Sequence, residues 1–223
     1  MIRIIDFCSS LLLLILLTPL FLILFIVLSF TGEGEIFYFQ ERLGKNGKLF
    51  NLIKFATMLK NSPNILSKTI TVNKDPRILP VGRFLRLSKI NELPQLINIL
   101  RGDMSFVGPR PLTLETFNYY PEIIKKKLKY IKPGLSGLGS IFFFNEESII
   151  SIEDNPRKIY KSIIAPYKGE LELWFKNKLS VKNYFLVILC TIYVVIFKNN
   201  RIIFKVFKDI PKPNISVKKI LDY

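Results

Sequence analysis

The sequence predicts a mixed α/β protein that is mostly helical and begins with an apolar membrane segment. Residues 8–30 are almost entirely apolar, and as a helix they are long enough to cross a bilayer. Two short β-like runs, residues 36–40 and 49–55, enclose a turn containing Gly44 and Gly47, which is typical of a β-hairpin. Helical spacing is clearest in four apolar residues, Leu93, Leu96, Ile97 and Leu100.

The amino-acid composition points to a partner that carries negative charge. Lys and Arg number 33 against 17 Asp and Glu, so the formal net charge is +16, while 49% of the residues are hydrophobic. Strongly basic proteins bind nucleic acid, anionic lipid or phosphorylated substrates. The basic residues here are dispersed and no known nucleic-acid module is present, so nucleic acid is not expected as a partner. An apolar segment beside basic surface favours an anionic membrane leaflet.

The chain contains no histidine, which excludes whole classes of catalytic site. Ser-His and Cys-His nucleophile pairs and histidine-ligated metal sites are all excluded. Any bound metal must therefore be held by oxygen atoms, which suits Mg²⁺. The two cysteines, Cys8 and Cys190, lie far apart in apolar segments, so a disulfide framework is not expected and a reducing compartment is favoured.

The apolar N-terminal segment has three interpretations. A signal peptide is disfavoured because the run is long and has no clear cleavage site. A plain transmembrane anchor is favoured by length. The third interpretation depends on Thr18-Pro19 near the middle, because proline removes a helical hydrogen bond and bends the helix. Each half of about eleven residues would reach about 16 Å, half of the hydrocarbon core, so a re-entrant helix stays open.

The remaining segments are predicted mainly as helices. One helix is expected at residues 116–132, and another at residues 154–178 with a break at Pro166. Residues 184–197 are apolar but short for a bilayer span, so they predict a buried or membrane-surface helix. The basic residues 201–223 are expected to lie on the membrane surface or to be loosely ordered.

Residues 88–112 combine features that suit phosphate chemistry. Asn91 is a good N-cap for the predicted helix, Pro94 is tolerated in the first turn, and Gly102 suits the end. Glu92 would then lie at a helix N-terminus, where anions, including phosphates, are favoured. Arg110 stands between two prolines, and a guanidinium mounted in this way suits bidentate phosphate binding. A capped helix followed by a proline turn explains the same residues without any function.

The same stretch closely resembles the core motif of the bacterial sugar transferases, the monotopic phosphoglycosyl transferases. That motif runs Asp-Glu-Leu-Pro-Gln-Leu, then Asn, a Gly-Asp-Met-Ser segment and Val-Gly-Pro-Arg-Pro. The matching positions in this chain are residues 92–96, Asn98, 102–105 and 107–111. A match of this length is highly specific, with one important departure: the family's catalytic aspartate is Asn91 here.

Further segments extend the resemblance over most of the chain. Thr18-Pro19 looks like the family's Ser-Pro break in a re-entrant helix, and residues 132–137 match its Lys-Pro-Gly-Ile-Thr-Gly turn. Arg86 occupies the place of a family arginine near the active site. Lys54 begins a segment similar to the family's Lys-Phe-Arg-Thr-Met. Three family positions differ here. Ala56 and Phe144 stand where the family has arginines, and Tyr184 stands where the family has a carboxylate.

The resemblance implies a fold and a location. It implies a monotopic membrane protein with a re-entrant helix at residues 1–31, a catalytic domain at residues 32–200 and a basic tail at residues 201–223. The catalytic domain would contain the small β-hairpin and interfacial amphipathic helices around one active site. The expected location is the bacterial inner membrane, with the active site facing the cytoplasm.

The resemblance also implies a reaction. Family members transfer a sugar-1-phosphate from a UDP-sugar to a polyprenyl phosphate such as undecaprenyl phosphate and release UMP, the first membrane step of glycoconjugate assembly. Glu92 and Asn91 take the catalytic positions, and Glu92 is also the expected ligand of Mg²⁺. The residues expected to bind substrate phosphates are Arg86, Arg110 and Lys54. The implied partners are the UDP-sugar, the polyprenyl phosphate, anionic membrane lipid and, as an open alternative, a second copy of the chain in a homodimer.

Asn91 leaves three interpretations open, because an amide is not a carboxylate nucleophile. In the first, Glu92 is the nucleophile and Asn91 orients it or the substrate. In the second, the chain is an inactive relative that acts as a membrane-bound UDP-sugar-binding or scaffold subunit. In the third, Asn91 stands in place of the protein's natural residue. The first is preferred because Glu92 is the carboxylate that remains in the pair.

Overall fold

The computed structural model describes residues 1–60, 77–151 and 155–220. Within these ranges the chain is mostly helical, as predicted, and it divides into two compact units. The N-terminal unit comprises Met1–Glu41 and Asn51–Met104, and the C-terminal unit comprises Arg42–Phe50 and Ser105–Tyr223. The polar residues 61–74, whose composition predicts a loop or a loosely held helix, lie outside the described residues.

The predicted hairpin is confirmed. Strands β1 (Phe37–Leu43) and β2 (Leu49–Phe55) pair in a two-stranded sheet, with a 3₁₀ turn at Lys45–Gly47 between them. Asn46 and Gly47 adopt φ angles of 62° and 74°, a left-handed conformation that these two residue types tolerate. Strand β1 runs on to Leu43, beyond the predicted end at residue 40.

The N-terminal unit begins with α1 (Ile2–Ser29), a single helix that continues through Pro19. By length and composition it is able to cross a membrane. The Thr18 hydroxyl donates a hydrogen bond to the Leu14 carbonyl at 2.9 Å, an arrangement that often accompanies helix bending. The buried side chains of α1 are those of Asp6, Ser10, Leu24 and Leu28. Most of its other apolar side chains are exposed.

Two short helices complete this unit, α2 (Pro80–Leu87) and α3 (Gln95–Arg101), with a 3₁₀ turn at Ile90–Glu92 between them. Gly102 ends α3 in the left-handed conformation, as predicted. The prediction that Asn91 caps this helix is wrong, because Asn91 is buried inside the 3₁₀ turn. A cap at Asn91 would accept the N–H of residue 93 or 94, but the Leu93 N–H donates to the Ile90 carbonyl at 3.0 Å and Pro94 has no N–H.

A small apolar cluster fixes the C-terminal part of α1 to the rest of the N-terminal unit. Leu24 and Leu28 are buried together with Phe55 of β2 and Leu85 of α2. The ring centroids of Phe21 and Phe55 lie 5.3 Å apart. Full burial of a leucine or phenylalanine side chain stabilises a fold by about 1.5–3 kcal/mol, so this cluster holds α1 against β2 and α2.

The C-terminal unit contains a short parallel strand pair and many helices. Strand β3 (Ser105–Val107) pairs with β4 (Gly134–Ser136) in parallel. The helices are α4 (Leu114–Asn118), α5 (Glu122–Leu128), α6 (Leu138–Phe142), α7 (Glu146–Ser151), α8 (Pro156–Ile159), α9 (Ala165–Asn177), α10 (Val181–Phe197), α11 (Ile202–Val206) and α12 (Ile215–Ile220).

Close backbone contact fixes the corner that carries Arg110. The Gly108 N–H donates to the Ser136 carbonyl, and the Gly134 N–H donates to the Pro109 carbonyl, both at 2.8 Å. A Cβ atom on Gly134 would lie 2.1 Å from the Gly108 nitrogen, so a side chain at position 134 would force the two segments apart. The chain around Arg110 is therefore held by β4 as well as by its own prolines.

Several predicted boundaries differ from the structure. The helix predicted at residues 116–132 is divided into α4 and α5 at Pro121, which stands at the N-cap of α5. No break occurs at Pro166, because a π-helical turn at Tyr160–Ile164 joins α8 to α9 and Pro166 lies in the first turn of α9.

The basic C-terminal segment is not loosely ordered over the residues that the structure describes. It forms α11 and α12 and buries four apolar side chains, those of Ile203, Phe207, Ile210 and Val217. The segment folds in spite of its basic composition, because its charged side chains lie on the solvent side while the apolar side chains are buried in the core.

Candidate active site

The N-terminal unit brings two of the predicted site residues into an ion pair. Lys54 Nζ lies 3.8 Å from Glu92 Oε1, and the two side chains are only 16% and 13% exposed. Strand β2 supplies Lys54, and the 3₁₀ turn before α3 supplies Glu92. Solvent ions screen such a sheltered pair only weakly, so the Glu92 carboxylate is held beside a fixed positive charge.

Asn91 lies directly before Glu92 and is buried, with 5% of its surface exposed. Its Oδ1 atom accepts no hydrogen bond from the described part of the chain. A buried acceptor without a partner costs about 1–3 kcal/mol, so such an atom in a folded protein calls for an explanation. An acceptor beside a carboxylate is suited to a cation or to a donor group of a substrate.

Arg86 belongs to the same unit and lies in the last turn of α2, where it is half-buried. Helix α2 packs against the 3₁₀ turn that carries Asn91 and Glu92. The Lys89 N–H donates to the Arg86 carbonyl at 3.2 Å, which ties the end of α2 to the start of that turn. The N-terminal unit therefore holds the helix of Arg86 against the turn of the two candidate catalytic residues.

Asn98 positions β2 relative to α3, a role that the motif alone does not indicate. Its Oδ1 accepts the Ile53 N–H at 3.0 Å, and its Nδ2 donates to the Asn51 carbonyl at 2.8 Å and to Asp103 Oδ2 at 3.2 Å. Asn98 is fully buried, so these bonds replace the water it has lost. They lock the strand of Lys54 to the helix that follows Glu92.

Arg110 lies in the C-terminal unit and is electrostatically coupled to Tyr160 and Lys168. Lys168 is buried and forms an ion pair with Glu146, and its ammonium lies 5.8 Å from the centroid of the Phe143 ring. Burial opposes the charge of Lys168, but Glu146 and Tyr160 outweigh it and raise its pKa, while Arg110 lowers it. Lys168 therefore remains an ammonium group at neutral pH.

A second carboxyl group of the C-terminal unit is also buried. Glu172 Oε1 accepts the Gly139 N–H at 2.9 Å, and Glu172 Oε2 has no hydrogen-bond partner within the described ranges. Burial raises the pKa of Glu172 to about 7, although the Gly139 amide and Lys168 both act to lower it. Sequence reasoning missed Glu172 and Lys168. The available signal was two charged residues on the apolar side of α9.

The family arginine and carboxylate positions that differ in this chain have other contacts. Lys198 Nζ lies 4.7 Å from the centroid of the Phe144 ring. A positive charge therefore lies close to position 144, although the residue at that position carries none. Tyr184 is fully buried, and its hydroxyl lies 3.1 Å from Ser105 Oγ. Ala56 is buried and donates its N–H to the Ile36 carbonyl at 2.9 Å. Tyr184 thus serves packing and hydrogen bonding between α10 and β3.

Comparisons with known proteins agree on one family. The sequence model of the family described as bacterial sugar transferase matches residues 1–198. The exopolysaccharide production protein ExoY of Sinorhizobium fredii is 38% identical over a match of 157 residues, and the match covers 64% of this chain and 69% of that protein. The undecaprenyl-phosphate galactose phosphotransferase of Salmonella typhimurium is 37% identical over 153 residues, 62% of this chain and 32% of that protein.

A further relative has a name that states its reaction. The UDP-glucose:undecaprenyl-phosphate glucose-1-phosphate transferase of Klebsiella pneumoniae is 35% identical over 143 residues, which are 62% of this chain and 30% of that protein. The match to this relative and to the Salmonella protein therefore spans about a third of their length. Because the family match extends over residues 1–198, the chain belongs to the bacterial sugar transferase family.

Proposed function

We propose that this protein transfers a sugar-1-phosphate from a UDP-sugar to a polyprenyl phosphate and releases UMP. The observation that carries the proposal is the Glu92 carboxylate, held beside Lys54 at 3.8 Å and directly after the buried Asn91. The names of the Salmonella and Klebsiella relatives support the substrates. The reaction would be the first membrane step of glycoconjugate assembly, on the cytoplasmic face of the bacterial inner membrane.

In the proposed reaction, the Glu92 carboxylate attacks the β-phosphorus of the UDP-sugar. A bond forms between the Glu92 oxygen and phosphorus, and the bond from phosphorus to the bridging oxygen breaks, with its electron pair leaving on UMP. An oxygen of the polyprenyl phosphate then attacks the same phosphorus and displaces Glu92 as a carboxylate. Lys54 reduces the repulsion between the carboxylate and the diphosphate, which is the main barrier to attack by one anion on another.

The proposed phosphate-binding residues are Arg86 in the N-terminal unit and Arg110 in the C-terminal unit, together with Lys54. A guanidinium group binds two phosphate oxygens at once through its planar fork. Arg110 is well suited to this role because the corner that carries it is braced against β4 and cannot move freely. Its neighbour Lys168 adds a second positive charge to the same region.

We propose Mg²⁺ as the cofactor. Within the described ranges no group of three His, Cys, Asp or Glu side chains is placed to hold a metal. Mg²⁺ commonly needs only one or two protein oxygens, because water and substrate phosphates complete its coordination. The unpartnered Asn91 Oδ1 and the Glu92 carboxylate are oxygen donors on two consecutive residues, so the residues fit this ion. Mg²⁺ would supply neutralisation of the diphosphate charge.

We propose a monotopic topology in which α1 enters and leaves the membrane on one side. Near the N-terminus, the Arg3 guanidinium donates to the carbonyls of Ile99 and Leu100 at 2.6 and 2.7 Å. Near the other end, Leu28 packs in the cluster with Phe55 and Leu85. Both ends of α1 are thus attached to the same unit, which supports a re-entrant helix with its bend at Thr18-Pro19.

Cysteine labelling tests this topology. In a Cys8→Ser background, Ile4→Cys places a single exposed thiol in the first turn of α1, and Lys48→Cys places one in the chain that follows α1. A membrane-impermeant maleimide is expected to label both variants in inside-out vesicles and neither in intact cells. Labelling of the two cysteines from opposite faces would show that α1 spans the bilayer.

Two further partners belong to the proposal. Anionic lipid is the proposed surface partner, because the chain carries a net charge of +16 and α10 exposes an apolar face between Lys182 and Lys198. The exposed apolar residues of α10 include Phe185, Leu189, Ile192, Ile196 and Phe197. A homodimer is a proposed assembly, which mass photometry of the protein in nanodiscs would measure.

A turnover assay tests the function directly. The purified protein in nanodiscs is mixed with polyprenyl phosphate and a series of UDP-sugars, and UMP is measured with Mg²⁺ or with EDTA. We expect continued UMP release that depends on both the lipid and Mg²⁺, and with Mg²⁺ but no lipid a release that stops at about one UMP per protein, because the lipid is needed only for the second step. The second candidate function, a UDP-sugar-binding scaffold, is favoured by Asn91 in place of aspartate, together with the other departures at Ala56, Phe144 and Tyr184. It predicts UDP-sugar binding by calorimetry with no UMP release for any sugar in the series.

A further inference from the structure

Glu172 lies beneath the turn that supports the Arg110 corner. The carboxyl group belongs to α9, is 5% exposed and accepts the Gly139 N–H at 2.9 Å through Oε1. Its other oxygen has no hydrogen-bond partner in the described part of the chain. The reaction proposed above does not use this group, and a buried ionisable side chain usually serves a specific purpose.

Glu172 and the Arg110 corner approach the same face of Gly137. A Cβ atom on Gly137 would lie 2.4 Å from the Gly108 carbonyl oxygen and 2.6 Å from Glu172 Oε1, so a side chain at this position would collide with both. The corner in turn rests on this segment, because the Gly108 N–H donates to Ser136 at 2.8 Å. The carboxyl group and the corner therefore both pack closely against the turn at Gly137.

We propose that Glu172 is a positioning residue for Arg110: its carboxyl group holds the backbone at Gly137–Gly139, against which the corner of Arg110 rests. This inference rests on the proposed function in so far as Arg110 binds substrate phosphate. A carboxylate accepts the Gly139 N–H more strongly than a neutral carboxylic acid does. Ionisation of Glu172 therefore strengthens the local hydrogen bond to Gly139 and improves the placement of Arg110, although burial of the charge lowers the stability of the fold as a whole.

The groups that face Glu172 allow its charge to change near neutral pH. On α9 itself, Lys168 lies one turn earlier, paired with Glu146 of α7. From the elements packed against α9, the neighbouring titratable groups are Tyr120 and Tyr160, while α6 has none. On α5, Glu122 pairs with Lys125 at 2.6 Å. Burial dominates over Lys168 and raises the pKa of Glu172 to about 7.

Steady-state kinetics against pH separate this role from simple packing. For the wild type, we expect the KM for UDP-sugar to fall roughly fivefold as Glu172 ionises, the scale of one charge-assisted hydrogen bond, while kcat changes little. Glu172→Gln keeps an acceptor for the Gly139 N–H but cannot ionise, so its KM should stay at the low-pH value of the wild type. Glu170→Gln is the matched control, since Glu170 is exposed on the same helix.

The pH dependence of stability provides a readout that needs no turnover. Burial raises the folded-state pKa of Glu172 to about 7 from an ordinary value of 4.5, so the contribution of its protonation to stability is fully present below pH 4.5 and is lost as the pH rises to about 7. Glu172→Gln lacks this loss. Its Tm should therefore exceed that of the wild type at pH 8 and approach it at pH 5, whereas Glu170→Gln should follow the wild type at both.

Hydrogen–deuterium exchange at one fixed pH tests the mechanical link itself. Glu172→Ala should accelerate exchange in peptides covering residues 132–140 and also in those covering residues 106–112, whereas Glu170→Ala should change neither. If Glu172→Ala does not fold, Glu172→Gln at pH 8 takes its place, with a smaller change in the same two peptides.

The outcomes distinguish this inference from the proposed function. If the wild type releases no UMP under any condition, the proposed function fails, and exchange together with Tm still decides the role of Glu172. If exchange at residues 106–112 is unchanged, or if Glu172→Gln keeps the wild-type pH dependence of KM, Glu172 does not position Arg110 and the inference is overturned.

Discussion

Glu92→Gln is expected to abolish UMP release and, with it, labelling of the protein by a UDP-sugar that carries its label on the β-phosphate. The rate should fall by at least about a thousandfold, the scale seen when an enzyme loses its nucleophile. The substitution keeps the size of the side chain but removes the charge that attacks phosphorus and that pairs with Lys54. Both products of the first step, UMP and the labelled protein, are measured in the same reaction.

Variants of the neighbouring polar residues provide the controls for this experiment. Asn91→Asp should change the rate without being required for activity, because Asn91 assists rather than attacks. Asp103→Asn alters a carboxylate that is bonded to Asn98, so it should lower activity only by loosening that contact. Robust UMP release by Glu92→Gln would eliminate Glu92 as the nucleophile and move the search to Asp103.

The same variants test the scaffold alternative. An inactive relative should bind UDP-sugar, release no UMP and gain activity, if at all, in Asn91→Asp. In Asn91→Asp the amide nitrogen is replaced by a second oxygen, so a carboxylate takes the place of the buried amide at the position directly before Glu92. Such a gain would identify the residue at position 91 as the nucleophile and Glu92 as its support.

Arg110→Lys is expected to lose most activity, by about a hundredfold, although the positive charge is kept. An ammonium group is a point charge on a flexible stem and cannot supply the two parallel hydrogen bonds of a guanidinium. The structure adds to this reason, because the braced corner holds the arginine in one position. Turnover at saturating UDP-sugar and at limiting UDP-sugar should both be measured, together with the Tm.

Arg83→Lys is the matched control for this change. Arg83 is exposed on α2, so its replacement should leave both turnover and Tm near those of the wild type. Near-normal rates for Arg110→Lys would mean that Arg110 has a structural role and does not bind phosphate. A lowered Tm in Arg110→Lys with unchanged turnover would lead to the same conclusion.

Local signals in the sequence predicted much of the fold. The hairpin follows from Asn46 and Gly47, which accept left-handed conformations that most residues avoid. The end of α3 follows from Gly102 for the same reason. The predicted cap at Asn91 failed because Pro94 has no N–H and the Leu93 N–H donates to the Ile90 carbonyl. The break predicted at Pro166 failed because a π turn accommodates that proline.

The candidate site was predictable only in part. The motif resemblance identified Glu92, Lys54 and Arg110 as residues of interest, but no spacing rule places a strand lysine 3.8 Å from a carboxylate that follows much later in the chain. For Lys168 and Glu172 the sequence offers only two charged residues on the apolar side of a helix, which does not indicate a function. Their significance depends on burial, which is a property of the packed helices around α9.

By itself, the sequence determined the apolar N-terminal helix, the hairpin, the mainly helical character and the family, because each depends on residue types within a few positions or on an ordered motif. Only the tertiary structure decided that Asn91 is buried with an unpartnered oxygen, that Lys54 pairs with Glu92, and that Glu172 lies beneath the turn that supports Arg110. These properties join residues far apart in the chain. They arise when packing removes water, so that each buried polar atom must find a partner or remain without one.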